Sequence, residues 1–455
     1  MEKQELRAAT SLAAVFSVRM LGLFMIYPVF AAFARHLAGA TPYKIGLALG
    51  IYGLSQGLLQ MPFGLLSDRI GRKIMIVVGL VLFGIGSAVA ASASSIDGII
   101  WGRVLQGAGA AGSVILALVA DLTAEENRTK AMAMVGMTIG FSFLVAIVAG
   151  PAVAGWIGVS GIFWMMLALA LVGIAITILV VPTPHRLRIH REAEPVPALL
   201  GATLRDPELL RLDFGIFALH AMLTASFLVV PGLLHAALGV SSHDQWLVYL
   251  PVLLVSVAIM VPAIIFGERH RRMKPVLVGA VAALALSQLL LATDGREVYV
   301  LIAAITIFFA AFNIMEASLP SLVTKTAPSG SVGTATGVYS SLQFLGIFVG
   351  GVAGGWLHQT HGTAGVFAFS GALAALWLLA AATMRRPSHL ATRLVRVGNR
   401  SASDADRLSA QLRQVPGVAE ALVVPEEGVA YLKVDSKVFD RAKAELVAGA
   451  TLEAV

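Results

Sequence analysis

Between Lys44 and Ala93 the chain concentrates its charge in one place, the stretch Gly64 to Lys73, read G-L-L-S-D-R-I-G-R-K. Before it, Lys44 to Leu66 carries no charge after Lys44; behind it, Ile74 to Ala93 carries none at all. Each run is long enough to cross a bilayer as a helix, which takes about 20 apolar residues. Two such runs around so short a charged segment form a hairpin of membrane helices. Asp68, Arg69, Arg72 and Lys73 then sit on a tight turn at one membrane face, and Gly64 and Gly71 let backbones come close there.

The same pattern fills most of the chain. Twelve spans are expected at about 10–36, 44–66, 74–93, 97–120, 130–157, 162–181, 211–237, 245–266, 275–292, 298–324, 334–358 and 363–384. Only 13% of residues are charged, against about 25% in soluble proteins. The net charge of +7 therefore reads as membrane topology and not as a nucleic-acid surface. Lys and Arg crowd one set of loops (Arg69, Arg72, Lys73, Arg128, Lys130, Arg186, Arg188, Arg191, Arg269, Arg271, Arg272, Lys274, Lys325), against Arg35, Lys44 and Arg296 on the other. That asymmetry puts both termini and the loop after span six in the cytoplasm. The first span is longer than a signal-peptide core, so it is expected to be retained. With no cysteine there is no disulfide framework and no thiolate metal site.

The connector 182–210 holds Pro182, Pro184, Pro195, Pro197 and Pro207 and divides the spans into halves at 1–181 and 211–386. A constant offset of 200 residues relates them: Pro62 to Pro262, Arg69 to Arg269, Arg72 to Arg272, Gly79 to Gly279, Gly150 to Gly350, Gly155 to Gly355 and Trp156 to Trp356. Two such halves in parallel repeat are a secondary-transporter architecture, with the binding site between them at the midplane. After a linker, 387–392, residues 393–455 change character. Strand, helix, hairpin around Glu426-Glu427-Gly428, helix and a final strand predict a small α+β, ferredoxin-like domain. The fold class is thus an all-α membrane protein of twelve helices in two six-helix halves, with a small cytoplasmic domain.

Charges deep in spans are costly, about 2.5–3.5 kcal/mol each on insertion scales, and so mark function. Arg19, Arg103 and Glu316 qualify, with His220 as a titratable neighbour. Glu316 suits a group that takes up and releases a proton, with His220 as its relay partner and Arg103 as an organiser of the first half. The cavity lining is expected from Tyr27, Gln56, Gln60, Asn313, Tyr339 and Gln343, with Met20, Met25, Met61, Met134 and Met137 as adaptable apolar surface. That mixture fits a lipophilic, cationic substrate better than a sugar. In span five, Gly140, Ala146, Ala149, Gly150, Ala154 and Gly155 make a small-residue face and Pro151 permits a kink. We expect a pivot there, met by Gly346, Gly350, Gly351, Gly354 and Gly355 of span eleven.

The stretch Gly64–Lys73 resembles motif A of the major facilitator superfamily. Arg103 to Gly109 is similar to that superfamily's motif B, and Gly150-Pro151-Ala152-Val153-Ala154-Gly155 to motif C of its drug:proton antiporters. The tail is similar to that of bacterial YajR-type transporters. The resemblance implies that Gly64 lets span two approach span eleven and that Asp68 faces the N-terminus of span eleven. It also implies that Arg72 pairs with Asp121 to stabilise an outward-open state. The second copy, Glu268-Arg269-His270-Arg271-Arg272, departs from the motif, with Ile264 and Arg271 where the glycines would be.

The function expected is proton-coupled efflux of small lipophilic molecules by alternating access, in a bacterial inner membrane. The alternatives are an importer by symport and a transport-dead sensor acting through the tail. No enzyme motif is present. The expected partners are the lipid bilayer, a small-molecule substrate and an ion or protein ligand of the tail, for a monomer without nucleic acid. No cofactor or metal is expected, the proton gradient being the energy source.

Overall fold

The computed structural model describes residues 3–183, 197–294, 297–385, 390–398, 401–425, 428–435 and 437–449. Most of the connector (184–196), Arg296, Arg386, part of the linker (387–389), Asn399 and Arg400, Glu426 and Glu427, and the expected final strand (450–455) lie outside the described residues.

Proline, glycine and capping side chains set the helix ends. Helix α1 (Lys3–Met25) gives way at Ile26 to α2 (Tyr27–Ala34), whose Pro28 lacks the N–H that a continuous helix needs. Helix α3 (Pro42–Ile70) starts on Thr41, whose side chain accepts from the Lys44 N–H at 3.2 Å, with Pro42 as its first residue. It ends at Gly71, where φ is 112°, a backbone that a side chain rarely adopts. Helix α4 is Arg72–Ser92, and α5 (Ile96–Ala108) and α6 (Gly112–Asp121) form one interrupted span. Helix α7 (Glu125–Leu179) is broken at Gly158, φ 71°. After α8 (Leu200–Thr203) come α9 (Pro207–Leu238), α10 (Trp246–Arg269), α11 (Met273–Asp294) and α12 (Val298–Thr326). The last long element, α13 (Val332–Thr383), is broken at Gly362, φ 66°.

Among the described residues nine helices are long and apolar enough to cross a membrane. The broken α7 and α13 are two of them. Helix α3 is not, because Gly46, Gly50, Gly53, Gly57, Gln56 and Gln60 dilute its hydropathy. Those glycines do the packing instead. A β-carbon at Gly50 would lie 2.7 Å from the Phe348 carbonyl oxygen, and one at Gly355 would lie 2.7 Å from that of Pro42, so α3 and α13 touch backbone to backbone. On another side of α13, Gly346, Gly350 and Gly354 lie against Phe217, Ala221 and Ala225 of α9.

The expected pivot between spans five and eleven is therefore corrected. Span-eleven glycines are used up by α3 and α9. Gly150, in span five, faces the Met25 carbonyl at the end of α1, Gly155 faces His243, and Gly140 faces open space. Pro151 is accommodated inside α7 without ending it.

The two halves meet away from the basic loops. There Tyr27 Oη and Thr224 Oγ1 lie 3.3 Å apart, and the Tyr43 N–H donates to Gln359 Oε1 at 3.3 Å. Nearer the middle, Gln60 Nε2 donates to Ser341 Oγ at 2.8 Å. One turn further towards the basic face, the nearest atoms to Gly64 are those of Ser113 in α6, at 3.6 Å or more. Gly64 thus faces its own half, not span eleven, and α3 and α13 diverge towards the basic face.

The tail is a three-stranded antiparallel sheet in the order β1-β3-β2, from β1 (Leu390–Arg396), β2 (Val418–Val424) and β3 (Val429–Asp435). Helices α14 (Ala402–Leu412) and α15 (Arg441–Ala448) accompany it. Strand β1 starts inside the expected linker, because Leu390, Ala391 and Thr392 pair with Asp435, Val434 and Lys433 of β3. The tail rests on the second half. Lys433, 1% exposed, donates from Nζ to the carbonyls of Lys325 (2.7 Å) and Thr324 (3.3 Å) at the end of α12, where the helix dipole favours a cation. Glu420 accepts from Ser329, and Arg271 pairs with Asp435 at 2.8 Å.

Candidate functional site

Glu316 sits on α12 one turn after Phe312, whose ring stacks on Phe143 of α7 at 5.2 Å, so this face of α12 looks across to the first half. The Glu316 side chain keeps 29% of its surface exposed; it is neither sealed in the core nor turned away from the interface. Its Oε1 accepts from Gln343 Nε2 at 3.4 Å, and its Oε2 lies 3.8 Å from His220 Nε2. His220 is buried. Its Nδ1–H donates to the Ile216 carbonyl at 3.3 Å, which leaves Nε2 to accept from Gln343 Nε2 at 2.9 Å. This arrangement makes the histidine neutral and the glutamine a bridge between it and the carboxyl. Protonation at Nε2 would turn that nitrogen into a donor, and the Gln343 amide would have to reverse to accept from it.

Arg103 is fully occupied. It donates to the carbonyls of Ala48 (3.3 Å) and Leu49 (3.5 Å) and to Gln106 Oε1 (2.9 Å), and its guanidinium lies 4.8 Å from the centre of the Tyr52 ring. It therefore ties α5 to α3. Arg19 is buried in the same half and donates to Gln56 Oε1 at 2.9 Å, while its Nε and Nη1 make no hydrogen bond. Neither arginine contacts Glu316 or His220; the cationic and acidic groups occupy different halves. Of the expected cavity residues, Gln60 and Tyr27 make the cross-half contacts above, and Gln343 joins the Glu316 cluster. Gln56 serves Arg19. Asn313 and Tyr339 are buried, and Asn313 Nδ2 and Tyr339 Oη make no hydrogen bond.

At the basic turn Arg72 is buried and central. Its Nε donates to Asp121 Oδ2 at 3.0 Å, its Nη1 donates to Ser67 Oγ at 2.7 Å, and Asp68 pairs with it one turn back. Arg69 is exposed. The expected Arg72–Asp121 pair is present and joins α4 to α6 inside one half. One expectation from motif A changes here. Asp68 turns to Arg72 in place of the start of span eleven, because α3 and α13 have parted at that level. Lys73, whose charge alone would have satisfied topology, donates to the Val181 carbonyl at 2.8 Å and so caps the span before the connector.

Sequence reasoning missed three features. The Gly46-Gly50-Gly53-Gly57 spacing was visible as a helical stripe. Asp213, buried in α9, sits seven residues before His220 but close to the expected start of span seven. The docking role of Lys433 and Asp435 had no local signal.

Fold and site together define a mostly helical membrane transporter with many apolar helices, and comparison with known proteins agrees. The Major Facilitator Superfamily model matches residues 12–351 and 212–418, and the chain belongs to that family, a class of transporters and not of enzymes. The YajR YAM domain model matches residues 399–448, so it is a YajR-type member with a C-terminal YAM domain. It is 44% identical to the inner membrane transport protein YajR of Escherichia coli over 97% of each chain. It is 27% identical to the multidrug resistance protein MdtH of Aeromonas salmonicida, over 75% of this chain and 85% of that one. Among solved structures, a bacterial homolog of the human lysosomal transporter Spinster, inward-facing and occupied, superposes with a TM-score of 0.67 at 14% identity. That match covers 84% of this chain and 96% of the other.

Proposed function

We propose that this protein is a proton-coupled antiporter that exports small lipophilic molecules across a bacterial inner membrane. The observation that carries the reading is the Glu316–Gln343–His220 cluster, in which Glu316 is partly exposed, built from three different helices of the second half. A proton arriving there changes which groups donate and accept, and so changes the contacts that hold α9, α12 and α13 together. One proton charge moving through about 100 mV supplies roughly 2.3 kcal/mol to drive that change. YajR and MdtH, by their names, are a transport protein and a multidrug resistance protein, which favours export over a symport importer. A sensor without transport has less support, since the coupling cluster is intact.

In this reading the protein has twelve spans: the nine long apolar helices with α7 and α13 each counted as two, and α3. The basic face is cytoplasmic, with both termini, and the sheet order β1-β3-β2 fits a ferredoxin-like tail. The conformation is inward-facing, closed at the far face by α3, α13, α2 and α9. Closing the basic face brings α13 back to α3, and Asp68 then leaves Arg72 for the amide end of α13, whose positive dipole favours a carboxylate. Arg72 stays with Asp121 throughout and keeps the turn rigid.

The test is reconstitution in liposomes with an imposed pH gradient and a panel of lipophilic cations. Glu316→Gln is expected to abolish gradient-driven movement while exchange without a gradient continues. Gradient-driven flux equal to wild type in the variant removes Glu316 from the mechanism.

A further inference from the structure

Helix α9 carries a second buried acid that the cluster above does not use. Asp213 lies seven residues before His220, two turns and about 10 Å towards the basic face. Its side chain is 2% exposed, and neither carboxyl oxygen makes a hydrogen bond. The other acids near it are committed. Asp206 caps α9 by accepting from the N–H groups of Glu208 and Leu209, and Glu208 pairs with Arg211. Among the described residues no cation lies within ion-pair distance of Asp213. A carboxylate left in a membrane span without water or a partner costs several kcal/mol, and such groups are retained for ions and protons.

Its position follows from the register of α9 on α13. Phe217, Ala221 and Ala225 step along Gly346, Gly350 and Gly354 in parallel, so Asp213 is the next place back on the same stripe, at the level of Tyr339 to Gln343. Tyr339 is within electrostatic reach of both Asp213 and Glu316, and its hydroxyl is buried without a hydrogen bond. Asp213 and Tyr339 therefore lie within one turn of each other on the α9–α13 seam, Tyr339 on the side of the basic face, beside Gln343, which holds Glu316 and His220. Of the elements against α9, α13 brings Tyr339 to this level, α12 brings Glu316, and α2 brings Tyr27 only at the far end, on Thr224.

We propose that Asp213 is a second proton-binding carboxyl, which exchanges its proton with the basic face and is linked to Glu316 through the Tyr339 hydroxyl. The proposal rests on the proton-coupled reading above. In the transfer, the Glu316 O–H bond breaks as a new one forms on Tyr339 Oη, and the original Tyr339 O–H breaks as its proton bonds to an Asp213 oxygen. The negative charge passes from Asp213 to Glu316, and Tyr339 ends as it began. No hydrogen bond joins Tyr339 to either carboxyl in this conformation, so the transfer belongs to the rearranged state.

The test reads protonation directly. Infrared difference spectra of the full chain in liposomes are recorded in the carboxylic-acid C=O region as pH is stepped, for wild type, Asp213→Asn, Asp213→Glu and Glu316→Gln. Asp213→Asn is expected to lose one band and to shift the pH midpoint of the band that Glu316→Gln removes. Asp213→Glu is expected to keep a band at a changed frequency, and it serves if the asparagine variant does not fold. An unaltered spectrum and midpoint in the Asp213 variants overturn the proposal. A band lost in Asp213→Asn beside an unchanged Glu316→Gln spectrum supports the Asp213 site while removing the Glu316 reading.

Discussion

The two copies of the basic turn share a positive φ at the matching position and little else. In the first half, Gly71 takes φ 112° at the end of α3. At the matching place in the second half Arg271 takes φ 55°, the one positive φ on a non-glycine residue among those described. A side chain there costs about 1–2 kcal/mol of backbone strain. The charges diverge as well. Arg72 is sealed between Asp68, Asp121 and Ser67, whereas the second copy holds an exposed Glu268–Lys325 pair and sends Arg271 out to Asp435 of the tail. One copy stiffens the inside of a half; the other is a platform for the soluble domain. The two basic turns of a membrane repeat can thus take on different work.

Removing the partner acid in each copy gives the sharpest contrast. Asp121→Ala removes one of the two carboxylates on a buried guanidinium and should destabilise the protein by about 1.5–3 kcal/mol, whereas Glu268→Ala breaks an exposed pair and should cost under about 1 kcal/mol. Thermal unfolding in detergent measures both, and equal losses would mean that the two turns are equivalent after all. A smaller effect is expected where the halves touch. Gly50→Val places methyl groups against the Phe348 backbone and should raise the closed state at the far face by about 1–3 kcal/mol. Gly140→Ala, which faces open space, should leave transport unchanged.

The smallest effect concerns the tail. A double-mutant cycle on Arg271 and Asp435 should give a small coupling, as exposed pairs do, read as protection of the tail from protease. The Lys437 N–H and the Arg271 guanidinium hold the Asp435 carboxyl below the usual carboxylate range. Its docking contribution is therefore complete above that range and is lost as pH falls through the lowered value. Asp435→Asn should remove that acid dependence.

Much of this was legible in the residues. Apolar runs, charge asymmetry and the 200-residue offset give the halves because membrane helices are fixed by length and by satisfied backbone groups. Glu316, His220 and Gln343 stand out as polar residues where polarity is costly. What could not be read was pairing. Glycine faces on spans two, five and eleven look alike in sequence, and only packing decides that span eleven meets α3 and α9. Asp213 was hidden because an acid near a span end passes for an interfacial one, and its burial depends on how far α9 extends before it. The tail's docking rests on Lys433 meeting carbonyls more than a hundred residues away, which no local pattern encodes.

The central claim is that the proton on Glu316 decides which face is open. Because the chain has no cysteine, spin labels at Tyr43→Cys and Gln359→Cys report the far-face closure without background. In liposomes the distance distribution between them should shift with pH in the otherwise wild-type chain and stay fixed across the same range in Glu316→Gln. A pH-dependent shift that persists undiminished in Glu316→Gln would contradict it.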